Sequence, residues 1–501
     1  NDIFLIIKIP MVHFLKKLFQ KNEKIPNTIS IQQIWWIPAL VPLCIALSSL
    51  IHGEWSWGLM DDHHLAFATG TINQKFFSGV QQFLKAGRFF PVFTLHTSVF
   101  YSVFKNSPKS FFIFRWLEVA CTLGLWGYLS AQITQRKWAA PLFIAVTLSF
   151  FKFYDSLFYL STQEILGCFF SGLTLLLFYR ALKPASESNE NLGRLPLLWA
   201  GICLFLTFMC KEPFVSIGIA IGISIIASWF KQRDSKKLLI IGVTVLCASI
   251  LYALVLKLFI AQSYSADYSL TDTQKIAANI GIWFKNVLKG HSPWIAISLI
   301  VMCFSSRSAS NPKLFMAKLL GPSLYMFFLA LIIPWQGWGH YVTPLGVFFA
   351  FTITIFLANR LSRIPKALLF LIITLSLSLN IFVGGKAISS HEKYQYDTHN
   401  LKQWMAQNAL FKHDVLTQKQ TVRCNATEPS YAIPRLVNKE NETSFSDFIF
   451  TSSVREIIAD PQTKYFIWGV HWGNQDLRRL GEMWSPMFFS DNWIVFRRMI
   501  N

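Results

Sequence analysis

The feature that most constrains this chain is a succession of long apolar runs. They lie at residues 34–52, 110–131, 138–151, 165–180, 195–210, 213–230, 238–260, 293–305, 315–334, 342–358 and 367–384. A helix needs about 20 consecutive apolar residues to cross a bilayer, and most of these runs are close to that length. In hydrocarbon every backbone N–H and C=O must be satisfied internally, so such runs must be helices. The expectation is a polytopic α-helical membrane protein of about eleven transmembrane helices, followed by a small C-terminal α/β domain.

Composition excludes the main alternatives. With 53% hydrophobic and 14% charged residues, 47 Phe and 18 Trp, the chain is too apolar for a water-soluble domain of its length. A net charge of +20 would suit a nucleic-acid binder, but membrane proteins gather Lys and Arg in cytoplasmic turns for topological reasons, so no nucleic-acid partner is expected. Cysteine usage excludes a disulfide framework or zinc module. No CxxC pair occurs. Cys44, Cys121, Cys168, Cys203, Cys210, Cys247 and Cys303 fall in or beside apolar runs, and only Cys424 lies clearly outside. The basic head, residues 1–33, contains Lys8, Lys16, Lys17, Lys21 and Lys24. It reads as an amphipathic segment on the cytoplasmic surface, ahead of a span too long and Trp-rich for a cleaved signal peptide.

Charge placement orders the helices. With the N-terminus inside, the cytoplasmic turns at 135–137, 180–194, 231–237, 307–313 and 359–366 each carry two to four Lys/Arg. The turns at 211–212 and 335–341 carry one and none, as the positive-inside rule requires. Counting residues 89–104 as a span would invert every later turn. That segment is therefore expected to lie along the membrane, as is a preceding helix with Phe76, Phe77, Val80, Phe83 and Leu84 on one face. Residues 53–109 then form a first external loop with juxtamembrane helices. Another flat helix is expected at 272–289, where Ile276, Ile280, Trp283, Phe284, Val287 and Leu288 recur at helical spacing.

This topology sends Asp61, Asp62, His63, His64, residues 155–164, Lys211, Glu212, His340, Tyr341 and the tail 385–501 to one extracytoplasmic side. The tail is a composition break: 14 Lys/Arg nearly balance 12 Asp/Glu, and no run in it could span a bilayer. Residues 391–410 read as a helix with Leu401, Trp404, Met405 and Asn408 on one stripe. Residues 465–470 and 493–498 read as strands.

Several residues in these external turns could carry chemistry. Asp61 and Asp62 follow directly on the first span, in the stretch WSWGLMDDHH at 55–64. Two adjacent carboxylates can raise one another's proton affinity towards that of a general base; the alternative is that one simply caps a helix start. Glu164 is a second external acid at the mouth of a span, where capping is an equal reading. Lys211 and Glu212 sit between two spans with almost no loop. Lys is a natural phosphate ligand, and a local Lys211–Glu212 ion pair closing the turn is the alternative. Arg115 and Glu118, three apart on one helix face, are expected to pair, because intramembrane charges must. Arg88 is a further cation near the external face. His63 and His64 beside two acids raise the question of a metal, but four consecutive side chains cannot converge on one ion. No metal or other cofactor is expected.

Taken together, these features resemble the GT-C class of integral membrane glycosyltransferases, which includes protein O-mannosyltransferases and the aminoarabinose transferases of lipid A. That class has an acidic pair in the first external loop, where Asp61 and Asp62 fall, and surface helices in the same loop. It has a second external acid before the fourth span, where Glu164 falls. Its late external turn carries a basic residue, then Tyr and a nearby Pro; here these are His340, Tyr341 and Pro344, with His in place of the commoner Arg. The resemblance covers residues 34–384, and the tail 385–501 lies outside it.

What the resemblance implies is a polyprenyl-phosphate-linked sugar donor, a lipid, glycan or protein acceptor, and an inverting transfer on the extracytoplasmic side of a bacterial inner membrane. Asp61 or Asp62 would be the base, with Glu164 as the second acid. Lys211, Arg88 and His340 would hold the donor phosphate, and His63, His64, Glu212 and Tyr341 would contact substrate. The rival in another class is a transporter or flippase. It would place charges near the bilayer midplane and repeat one half of the chain in the other, and neither pattern is visible.

Overall fold

The computed structural model describes residues 34–53, 55, 70–85, 87–104, 107–160, 162–182, 194–232, 236–256, 258, 273–304, 342–358, 360–361, 366–407, 421–424, 448–450, 459, 463–470 and 483–499. Within these the chain is a helical bundle followed by one sheet. The first helix, α1 (Trp36–His52), takes up the first apolar run. Two helices of the first loop follow, α2 (Ile72–Lys85) and α3 (Pro91–Phe104), packed on each other as a hairpin. Next comes α4 (Pro108–Thr134), started by Ser107, whose hydroxyl accepts from the Ser110 N–H, with Pro108 in the first turn, where its missing N–H costs nothing.

The run expected as a short span at 138–151 is a broken one. Helix α5 (Ala139–Leu148) stops, a 3-10 turn (Phe151–Phe153) follows, and the short α6 (Asp155–Phe158) leaves at 89°. Phe150 at the break wedges between Gly290 and Gly346, where a Cβ would come within 2.3 and 2.4 Å of its ring. Helices α7 (Glu164–Leu182), α8 (Arg194–Cys210), α9 (Val215–Gln232) and α10 (Lys236–Val255) follow the next four apolar runs.

Two helices are longer than the sequence reading expects. The surface helix of 272–289 and the span of 293–305 are one continuous helix, α11 (Thr273–Phe304), which accommodates Pro293 internally. After α12 (Thr343–Ala358), the last apolar run and the helix read at 391–410 merge into α13 (Lys366–Gln407), 42 residues long. It passes residue 385, where the composition changes, without interruption. Gly384-Gly385 at the junction is a turn signal, but no Pro follows it and the helix continues through both glycines. Leu401 and Met405 of the expected stripe are fully buried.

Among the described residues, α7 and α13 are long and apolar enough to cross a bilayer, α5 with its bent continuation makes a third, and five shorter apolar helices accompany them. The run at 315–334 lies outside the described residues. On α8, Leu195, Leu198, Trp199 and Phe205 are exposed, as are Ile240, Leu251 and Leu254 on α10. Outward faces of this kind suit lipid rather than water. Inside, Asn380 of α13 ties three helices. Pro42 gives α1 no N–H for the Pro38 carbonyl, and the Asn380 amide donates to that oxygen (2.8 Å) and to the Ala145 carbonyl of α5 (3.0 Å).

The tail builds a five-stranded sheet from β1 (Thr421–Cys424), β2 (Phe448–Phe450), β3 (Thr463–Gly469), β4 (Trp484–Phe489) and β5 (Trp493–Arg498), in the order β2-β1-β3-β5-β4. The two strands legible in sequence are β3 and β5, which pair antiparallel at its centre, with Phe466 opposite Phe496 and Trp468 opposite Ile494. The sheet docks on α13. Asn492 donates to Asp397 (2.6 Å), the Trp493 indole to Thr398 (3.3 Å), Lys393 pairs with Asp491, and Trp404 packs on Phe488.

Candidate active site

The ends of several helices meet around the segment 151–164. Ser156 bonds Thr343 at the start of α12 (2.9 Å), His391 of α13 bonds Asp155 (3.2 Å), and Glu392 accepts from Ser49 near the end of α1. Trp55, at the root of the loop carrying Asp61 and Asp62, stacks on Phe158, and Phe158 stacks on His391. Residues hundreds of positions apart thus come together here. Asp61, Asp62, His63, His64, His340 and Tyr341 themselves lie outside the described residues.

Glu164 opens α7, and Lys211 lies between α8 and a 3-10 turn (Glu212–Phe214) that leads into α9. Lys211 has extended backbone, φ −167° and ψ 144°. Extended backbone sends successive side chains to opposite sides, and this decides the fate of the adjacent pair. Lys211 turns one way and forms an ion pair with Glu164, both 2–3% exposed. Glu212 turns the other way. Its Oε1 accepts from the Phe89 backbone N–H (3.0 Å) and lies 3.7 Å from Arg88 Nε. The local Lys211–Glu212 pair weighed from sequence is therefore not what closes the turn; each partner reaches a different element. Gly167 makes the approach possible. A Cβ there would fall 2.1 Å from the Phe214 ring, so glycine lets the 211–214 segment lie against the first turn of α7.

Two neighbouring ion pairs result, and they differ. Glu164–Lys211 is sealed, and its charges compensate one another in a low-dielectric setting, where either alone would be strongly disfavoured. Arg88–Glu212 is about one-fifth exposed, and its contact is long. The Arg88 guanidinium also lies over the Phe90 ring, 4.8 Å from its centroid, and its planar fork is of the kind that matches carboxylate and phosphate geometry.

Two acid–imidazole contacts, one buried and one partly buried, carried no sequence signal strong enough to single out. Asp155–His391 joins residues 236 positions apart, a separation no spacing rule reaches. His96 of α3 bonds Glu118 of α4, which also pairs with Arg115 at 3.2 Å, the pairing expected from their spacing. A lone imidazole in the apolar run 89–104 was the available hint.

No family model matches the chain, and no curated protein matches it in sequence. Its fold, however, is shared. The crystal structure of ArnT from Cupriavidus metallidurans bound to undecaprenyl phosphate superposes with a TM-score of 0.56 at 10% identity, over 92% of this chain and 97% of that one. The apo structure of the same protein gives 0.54, with the same identity and coverage. At 10% identity the likeness is one of architecture. The chain shares the fold of ArnT over nearly its whole length.

Proposed function

We propose that the chain is an integral membrane glycosyltransferase that takes a sugar from a polyprenyl-phosphate donor and inverts the anomeric centre. The observation that carries this reading is the meeting of Glu164–Lys211 with Glu212, Arg88 and the Phe89 N–H at the helix ends of a fold shared with ArnT. Undecaprenyl phosphate in the ArnT structure supports the donor class.

In the proposed reaction, Asp61 or Asp62 takes the proton of an acceptor hydroxyl or amine. That oxygen or nitrogen bonds to the anomeric carbon as the bond from this carbon to the phosphate oxygen breaks. The bonding electrons leave with the lipid phosphate, and cationic donors stabilise the charge developing there. Arg88 is the described cation we assign to this role, its side chain being 23% exposed where Lys211 is sealed. Lys211, sealed against Glu164, acts from behind it, and His340 completes the set. Glu164 serves to hold the Lys211 ammonium. His63, His64 and Tyr341 remain substrate contacts in this reading, and no metal is required. The reaction side is extracytoplasmic, with the N-terminus in the cytoplasm, in a bacterial inner membrane. The catalytic part is 34–384, and 385–501 is an external domain.

The test is transfer from an undecaprenyl-phosphate-linked sugar by the full chain in nanodiscs, with Asp61→Asn, Asp62→Asn and the double variant. The double variant is expected to lose at least about 10³-fold in kcat. Full activity in the double variant would remove the Asp-base mechanism. Absence of undecaprenyl phosphate binding to the wild type would remove the donor class.

A further inference from the structure

Arg115, Glu118 and His96 have no part in the reaction proposed above, yet together they form a buried polar cluster among phenylalanines. Phe100 stacks on Phe114 and packs at a tilt against His96, with centroids 3.9 and 4.6 Å away. Burying three such groups is costly unless each satisfies the others. Arg115, 3% exposed, does more than pair with Glu118. Its Nη2 donates to the Leu160 carbonyl and to the Thr162 carbonyl (3.1 Å), while Nη1 lies 3.2 Å from Glu118. Leu160 and Thr162 lie between α6 and α7, ahead of the first bond of that helix, from the Gly167 N–H to the Gln163 carbonyl. One guanidinium therefore clamps the strap that delivers Glu164 to Lys211.

The clamp is tied to α3 as well. Glu118 gives one oxygen to Arg115 and the other to His96. The segment leading into α3 is bonded through the Phe89 N–H to Glu212, next to Lys211. The same surface helix is thus fastened to both members of the Glu164–Lys211 pair, once through Glu212 and once through Glu118 and Arg115.

We infer that Arg115 is a positioning residue for the Glu164–Lys211 pair, with Glu118 and His96 coupling it to α3. Arginine suits the task because its planar fork spans two carbonyls and a carboxylate at once, which a lysine ammonium on a flexible stem does not reproduce. Glu118 leaves the clamp without net charge, so it holds the strap without competing for an anionic ligand. The inference rests on the transferase reading only for its effect on turnover.

The experiment uses the full chain in nanodiscs, with Arg115→Lys, Arg115→Gln and His96→Gln. Hydrogen exchange is followed over a peptide covering 159–166, and acetylation of Lys211 by a water-soluble amine reagent is read by mass spectrometry. In both Arg115 variants exchange rises about tenfold at 159–166 and Lys211 becomes acetylated, while α12 is unchanged. His96→Gln, at the partly exposed end of the cluster, moves both readouts the same way by about two- to threefold. It carries the test if Arg115→Gln fails to fold. In the turnover assay Arg115→Lys lowers kcat about tenfold with KM unchanged. Unchanged exchange and acetylation in Arg115→Lys and His96→Gln overturn the inference, whatever the activity. The expected exchange pattern in a chain that transfers no sugar supports the positioning role and overturns the proposed function instead.

Discussion

Glu164–Lys211 and Arg88–Glu212 lie side by side, share the 211–212 dipeptide and have the same charges, yet they do opposite things. The first is sealed, and the second is open, long and shared with a backbone N–H. A sealed pair resists exchange, because freeing either ion strands the other in a low-dielectric site. An open pair gains little from its own attraction and gives way to a stronger anion. Position in the fold, more than residue type, separates a sealed ion pair from a partly exposed one.

Three substitutions would break or sharpen that contrast. The largest effect is expected for Lys211→Met, which strands the Glu164 carboxylate and costs about 3–5 kcal/mol of stability. The double variant Glu164→Leu/Lys211→Met recovers most of it. Thermal unfolding of the purified chain reads both, and a single variant no worse than the double would show that the carboxylate does not depend on its partner. Arg88→Ala comes next. It costs less than about 1 kcal/mol of stability but weakens undecaprenyl phosphate binding by about ten- to a hundredfold, the value of a charge-assisted hydrogen bond or two. Quenching of tryptophan fluorescence on titration measures it, and unaltered affinity would return the phosphate role to Lys211. Glu212→Gln is the smallest and the most discriminating. The amide oxygen still accepts the Phe89 N–H while the competing charge on Arg88 disappears. Stability should stay within about 0.5 kcal/mol, and undecaprenyl phosphate should bind about two- to threefold more tightly. Weaker binding would mean that Glu212 orients Arg88 instead of competing for it.

Much of the architecture was legible because helices in an apolar chain are written locally. Most of the expected runs lie on helices whose ends differ by a few residues, and the juxtamembrane segments at 72–85 and 91–104 are helical. Where reading failed, local stop signals were overridden. Gly290 and Pro293 in one junction and Gly384-Gly385 in the other are breakers by sequence, and only the uninterrupted helices α11 and α13 reveal the joins. In the tail, β3 and β5 were visible as alternating aromatic and β-branched runs. β1, β2 and β4 were not. Three or four residues carry too little pattern for β1 and β2, and β4 contains a proline that marks it as an edge strand.

The candidate site divides in the same way. Charge sidedness led to the expectation of Glu164, Lys211, Glu212 and Arg88 on one face, and the structure brings them into contact as two ion pairs. The Arg115–Glu118 pair followed from three-residue spacing on a helix. Which acid holds which base did not follow. Lys211 chooses Glu164 over its sequence neighbour because an extended residue throws adjacent side chains apart, and because Gly167 admits Phe214 against α7. The contacts of His96 with Glu118 and His391 with Asp155 belong wholly to tertiary structure. Sequence by itself determined the helices and their order and led to the expectation of one polar face, because these depend on neighbours along the chain. The partners across that face were decided only when distant segments packed, because a buried charge takes its counter-ion from whatever the fold brings within reach.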